Sequence, residues 1–259
     1  MRGIAVIIVL AGCTFPTKPG DPFACVGRSL PTTAPSRVDI RGIVVDPIGA
    51  QGDGTPGAAT TDLGTPVAAA SETLFVIGPS GSIPRGTWTT KDDGTFTASE
   101  ATGGGVQRVF IQSQADGYLD SFSYPPLPLA YSIDVLVFQA RLGLVPALVN
   151  AGYLRPIEPM TAFMIASVVD CNDNPVEGAT IDVIDSGVHD QNHPIVKTYF
   201  ANVRPDPSAT QTDSLTGSAF VSGLVPGAVT VRASLGTIPF KENKVTVAVD
   251  ALTIAEVSP

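Results

Sequence analysis

Histidine, tryptophan, cysteine and positive charge are all scarce in this 259-residue chain, and each scarcity narrows what it can be. Two histidines, His189 and His193, sit four apart in "HDQNH". No serine or cysteine signature stands elsewhere for them to activate, so a nucleophile triad has no base to draw on. The patterns G-x-S-x-G, H-E-x-x-H and a phosphate-cradling Gly-Lys loop are absent, and "TGGGV" at 102–106 lacks both the lysine and a following helix. Lysine and arginine total 15 against 24 acidic residues, for a net charge of −9. The pI is near 4.5. An acidic surface without a run of Lys or Arg repels phosphate backbones, which excludes nucleic acid as a partner. No apolar run approaches the roughly 20 residues that a membrane-crossing helix needs. Trp88, the single tryptophan, suits a β core or one face of a sugar-binding surface.

What is present begins at the first residues. "MRGIAVIIVLAGCTF" carries one cation at Arg2, an apolar run from Ile4 to Leu10, two small residues and Cys13. That order is an export signal. Leu10-Ala11-Gly12-Cys13 resembles the lipobox of bacterial lipoproteins. The resemblance implies cleavage of residues 1–12 and lipidation of the Cys13 sulfur, with enough acyl chains for stable anchoring. Thr14 carries no retention signal, so the outer membrane is the expected location. Cys25 and Cys171 remain, and in an oxidising compartment two leftover thiols invite one disulfide.

Residues 13–37 are rich in Pro, Thr and Gly without apolar periodicity, and read as a lipidated tether. From Val38 short β-branched runs recur between turn signals: "RVDIRGIVVDP", "SETLFVIGP" at 71–79, "GTFTA" at 94–98 and "VQRVFIQSQADGY" at 106–118. A Gly/Pro/Thr-rich loop spans 48–66, and Asp92-Asp93-Gly94 predicts a hairpin turn. At 137–152 the apolar spacing turns helical, with Pro146 inside it, which predicts a short kinked helix. The β pattern returns in "AFMIASVVD" at 162–170, "ATIDVID" at 179–185, "GSAFVSG" at 217–223, "GAVTVRAS" at 227–234 and the closing "NKVTVAVDALTIAEV". The two β regions echo one another. The expected fold is therefore all-β, two tandem antiparallel β-sandwiches at 38–135 and 160–259, joined by a helical connector at 136–159.

The second region resembles the carboxypeptidase regulatory-like, or transthyretin-like, β-sandwich family. "VVD" at 168–170, "PVEGATIDV" at 175–183, "TDSLTGSAF" at 212–220 and "LVPGAVTVRA" at 224–233 follow in that family's order. The first region matches only through "RGIVVDP" and "TKDDGTF". The whole arrangement also looks like envelope lipoproteins of the myxobacterial type. What this resemblance implies is an accessory module that stabilises, presents or binds.

Two stretches hold ligand-type side chains. In "DCNDNPVEG" at 170–178, Asp170, Asn172 and Asn174 fall on the first alternate positions of a calcium loop. Pro175 stands where that loop needs Gly, and Ile181 where it needs a bidentate carboxylate, so a turn is expected. His189, His193 and Tyr199 are metal-ligand types, and intradiol dioxygenases hold iron with two Tyr and two His on a related sandwich. That family places its histidines after the Pro-Gly turn, whereas no His or Tyr follows Pro226 here. No cofactor or metal is expected. The expectation is a non-enzymatic cell-envelope lipoprotein, structural or binding an envelope protein or glycan. The alternatives are a metal-dependent enzyme or binder using His189, His193 and Tyr199, and a glycan- or peptide-binding accessory module.

Overall fold

A computed structural model describes residues 20–46, 64–187, 189, 194–201 and 204–259. The expected signal peptide at 1–12, Cys13, most of the 48–66 loop and His193 lie outside the described residues.

Nearly all of the regular structure is β. The first half supplies β1 (Arg37–Asp46), β2 (Thr65–Pro66), β3 (Ser71–Gly78), β4 (Gly81–Thr89), β5 (Thr95–Ala101), β6 (Val109–Gln114), β7 (Asp120–Tyr124) and β8 (Ile133–Phe138). After one helix, α1 (Leu144–Asn150), come β9 (Ala162–Val168), β10 (Thr180–Ile184), β11 (Val196–Ala201), β12 (Arg204–Asp206) and β13 (Ser218–Leu224). The chain closes with β14 (Gly227–Leu235), β15 (Ile238–Pro239), β16 (Asn243–Val247) and β17 (Ala251–Val257).

These strands form one large sheet and two small ones. The large sheet runs β12-β11-β13-β9-β17-β7-β6-β3-β4. Its centre is β17, which lies parallel to β7 of the first half on one side and parallel to β9 of the second half on the other. The halves therefore share one continuous sheet, which corrects the expected pair of independent tandem sandwiches. Pure antiparallel pairing is corrected as well, since β8 also runs parallel to β1. The register shows how the faces divide. Phe220, Ile165, Ile254, Ser123, Ile111 and Leu74 are successive cross-strand partners along one row. Because side chains alternate along each strand, this row marks one face of the sheet. The small sheet of β2, β1, β5 and β8 packs on that face at one end, through Ile40, Val44, Phe96 and Val137. Leu148 of α1 and Leu154 join Phe163, Ile165, Phe220 and Ile254 at the other end. On the opposite face the second small sheet, β10, β14, β15 and β16, buries Ile181, Val183, Val229, Val231 and Val245 against Met164, Ala166, Val221 and Val257.

This layering explains why β9, β13 and β17 read as near-continuous apolar runs. Each is buried on both faces. It also changes the role of 136–159. Residues 136–138 are β strand, and the helix that follows covers the large sheet rather than linking two bodies. Pro146 is the third helical residue, where no intrahelical N–H bond is lost, so it starts the helix instead of kinking it. Gly152, at φ 78°, then ends it. Asp92-Asp93-Gly94 does turn the chain, with Gly94 at φ 74° and the Asp93 carboxylate accepting from the Thr95 N–H at 3.0 Å. It carries the chain between sheets, since β4 pairs with β3 and β5 with β1; the expected hairpin is corrected.

Residues 20–36 are part of the folded body, which shortens the expected tether of 13–37. Phe23 packs against the core under the second small sheet. The Ala34 N–H donates to Gly104 O at 3.0 Å, and the Cys171 N–H to Pro22 O at 2.9 Å.

Candidate functional site

Cys25 and Cys171 are joined by a disulfide, with Cα atoms 5.6 Å apart across a sequence separation of 146. Cys171 is offered to Cys25 by the "DCNDNPVEG" turn, which the Asp170 carboxylate holds together. Asp170 Oδ1 accepts from the N–H groups of Asn172 at 2.7 Å and Asn174 at 2.9 Å, and Oδ2 accepts from the Asn174 amide at 3.1 Å. Asp173 occupies the left-handed region at φ 62°, which Asp tolerates better than most residues. Asp170 and Asn174 are thus engaged in building a turn.

Of the candidate metal set, Tyr199 and His189 are among the described residues and His193 is not. Tyr199 is buried, and its hydroxyl is fixed by the backbone of β10: it accepts from the Ile181 N–H at 2.9 Å and donates to Ile181 O at 3.4 Å. His189 Nε2 sits 2.7 Å from Asp185 Oδ1 instead. Burial draws the Asp185 carboxyl up, but bonds from His189, Val225 and Gly187 outweigh it and hold the group below its ordinary range. Among the described residues no group of three or more His, Cys, Asp or Glu is placed to hold a metal. No helix among them is long and apolar enough to cross a membrane.

Sequence reading passed over a buried polar cluster in the first half. Glu72, Ser113 and Gln139 are each fully buried. The Ser113 hydroxyl donates to Glu72 Oε1 at 2.5 Å, and the Gln139 amide donates to Ser113 Oγ at 2.7 Å. Among the described residues Glu72 Oε2 and Gln139 Oε1 have no hydrogen-bond partner. Loss of water pushes the Glu72 carboxyl up to about 7, against a smaller opposing effect of the Ser113 bond. Glu72 faces Trp88 across the β3–β4 ladder. Trp88 lies half-buried over Gly86, where a Cβ would meet the indole at 2.8 Å, and packs against the first-half core. Alternation did signal that Glu72 shares a face with Leu74. A lone Glu in a strand gave no hint of being sealed there. A second carboxyl, half-buried Glu256, is pushed up to about 7 by burial and then by the nearby charge of Asp173.

A cleft of about 300 Å³ opens where the two halves meet. Its walls are the segment Tyr124–Pro128, leaving β7, and residues 241–244, leading into β16. Bonds between the halves build it. The Asn243 amide donates to Tyr124 O at 3.4 Å, Pro125 O at 3.1 Å and Glu256 O at 2.8 Å. Arg108 donates to Lys244 O at 2.7 Å, and the Tyr124 hydroxyl to Thr246 O at 3.4 Å. Three cations line the cleft: Arg108, Lys241 and Lys244. Glu242, the acidic residue beside them, is drawn onto Arg232 at 2.6 Å. Burial lowers the Lys241 ammonium from its ordinary value, and its Nζ donates to Pro259 O. No linear run of Lys or Arg foretold this grouping, because Arg108 stands more than 130 residues from Lys244.

No family model matches the chain, so the carboxypeptidase regulatory-like resemblance of its second half has no match of that kind. None of the curated proteins matches it either. Similar solved structures include the Bacillus anthracis TIE protein, at 11% identity and TM-score 0.27, covering 86% of this chain and 33% of that one. Shaft pilin SpaA from Lactobacillus rhamnosus GG is 14% identical at TM-score 0.24, covering 88% of this chain and 98% of that one. A 3-chlorocatechol 1,2-dioxygenase from Rhodococcus opacus 1CP is 14% identical at TM-score 0.27, covering 48% and 68%. At such scores none of these likenesses bears on what this chain does.

Proposed function

We propose that the chain is a non-enzymatic cell-envelope lipoprotein, anchored through lipid on Cys13 and acting as a structural or ligand-binding β module, with the outer membrane as its location. The observation that carries this reading is the Cys25–Cys171 bridge, twelve residues beyond the lipobox cysteine. Disulfides persist in oxidising compartments such as a bacterial envelope and are rare in the cytosol. The bridge also fastens the chain just after the proposed anchor to the second half of the fold, so load from the membrane meets a covalent link before any strand. Residues 168–233, divided between the shared sheet and the second small sheet, take the role of a carboxypeptidase regulatory-like module. The metal-dependent alternative would require Tyr199 to leave the Ile181 backbone that now holds its hydroxyl.

The test is Cys13→Ser with fractionation of cell envelopes. The expected result is a precursor that retains residues 1–12 and washes free of membranes. Membrane retention equal to that of the unaltered chain would overturn the lipoprotein reading.

A further inference from the structure

We propose that the cleft between the halves is a binding site for a carboxylated sugar, a uronate unit of an acidic polysaccharide. This rests on the binding-module reading above and names its ligand. The first ground is charge. The chain as a whole stands at −9, yet Arg108, Lys241 and Lys244 converge on one concavity, and the acidic residue among them is turned onto Arg232. A cationic concavity on an acidic body focuses the field on a small anion while the rest of the surface repels long polyanions such as nucleic acid. Arg108 and Lys244 are exposed at the rim, and Lys241, half-buried, keeps N–H donors beyond the one given to Pro259.

The second ground is the wall. Pro125, Pro126 and Pro128 have no backbone N–H, so an extended peptide finds no main-chain ladder along them. With Leu30 they present apolar surface of the kind that meets the C–H face of a sugar ring. The third ground is size and rigidity. About 300 Å³ is at the lower end of small-ligand pockets and takes one ring with its substituents. Asn243, buried and bonded to three carbonyls from both halves, holds the walls before any ligand arrives.

The experiment is calorimetric titration of the full chain with tetragalacturonate, with maltotetraose and tetraglutamate as the neutral and peptide arms. Tetragalacturonate is expected to bind and to weaken at high salt, and the other two to bind at least about tenfold more weakly. Lys244→Glu sits on an exposed position of β16, where the fold is retained, and is expected to cost about tenfold or more; Lys244→Gln is expected to cost less. Equal binding of maltotetraose removes the charge argument, and equal binding of tetraglutamate removes the sugar. Tetragalacturonate affinity unchanged in Lys244→Glu would place binding elsewhere, sinking the cleft while the binding-module reading survives. No tetragalacturonate binding at millimolar concentration overturns the proposal.

Discussion

Replacing Glu72 by Gln should flatten part of the dependence of stability on pH. In the folded chain the Glu72 carboxyl titrates near 7 rather than 4.5, because burial disfavours its charged form. The folded state therefore holds this proton more tightly than the unfolded chain does. Its contribution to stability is complete below about pH 4.5, falls as pH rises toward 7, and is gone above that. A difference of this size corresponds to about 3 kcal/mol across the window. Glu256 titrates upward in the same window, so the wild-type curve alone mixes the two groups. The difference between wild type and Glu72→Gln isolates one. Gln has nearly the shape of the protonated acid and keeps an oxygen for the Ser113 hydroxyl, but puts two N–H donors where the acid has one O–H, inside a buried cluster. That costs about 1 kcal/mol. The variant is thus expected to match wild type in stability at pH 5, where about 1 kcal/mol of the wild-type contribution is already lost, and to be about 2 kcal/mol more stable at pH 8. Urea unfolding at each pH reads this directly. Trp88 fluorescence is a single-site probe beside Glu72, and circular dichroism reports the whole sheet. If the two proteins keep a constant stability difference from pH 5 to 8, the assignment of a proton to buried Glu72 is refuted.

Two further outcomes follow from covalent and backbone geometry. Cys25→Ser opens a loop set by a separation of 146 residues and should lower stability by roughly 3 to 5 kcal/mol, read as the shift in urea midpoint. Reductant should reproduce that shift in the wild type and leave the variant unmoved; the same midpoint with and without reductant in the wild type would contradict the bridge. Gly217→Ala places a Cβ 2.5 Å from Val168 O at φ 60°, whereas Gly27→Ala, at φ 75°, has open space around it. The first should cost about 2 to 3 kcal/mol and the second about 1 kcal/mol, because only the first adds a steric clash to the left-handed backbone. Equal losses in thermal unfolding would show that packing around Gly217 gives way freely.

Several elements were legible before any coordinates. The alternation in "ATIDVID" and "GAVTVRAS" marks strands with one buried face, and these are β10 and β14, paired with each other. "DCNDNPVEG" was readable as a turn because its carboxylate and amide side chains are chemically suited to capping their own backbone. Other strands were not legible. β4, "GSIPRGTWT", has Gly, Pro and Arg in a mostly exposed edge strand, which weakens any periodic apolar signal. β7 and β11 lie in stretches of Ser, Tyr, Lys and Thr, whose burial comes from neighbours contributed by distant segments.

The period of two, the turns, and the double-sided apolar character of "AFMIASVVD" and "ALTIAEV" are written into the residues themselves. These are properties of side chains a few residues apart, governed by local sterics and by the need to bury one face or two. Which strands lie side by side is settled by the folded chain alone. Backbone N–H and C=O groups are the same at every residue except proline, so nothing in "ALTIAEV" states that β17 will lie between β7 and β9 and merge two expected domains into one sheet. The cleft belongs to that second class of fact. Arg108 and Lys244 become neighbours because the second small sheet, packed on the shared sheet, sets β16 beside the start of β6, and charge convergence of that kind has no local signal to read.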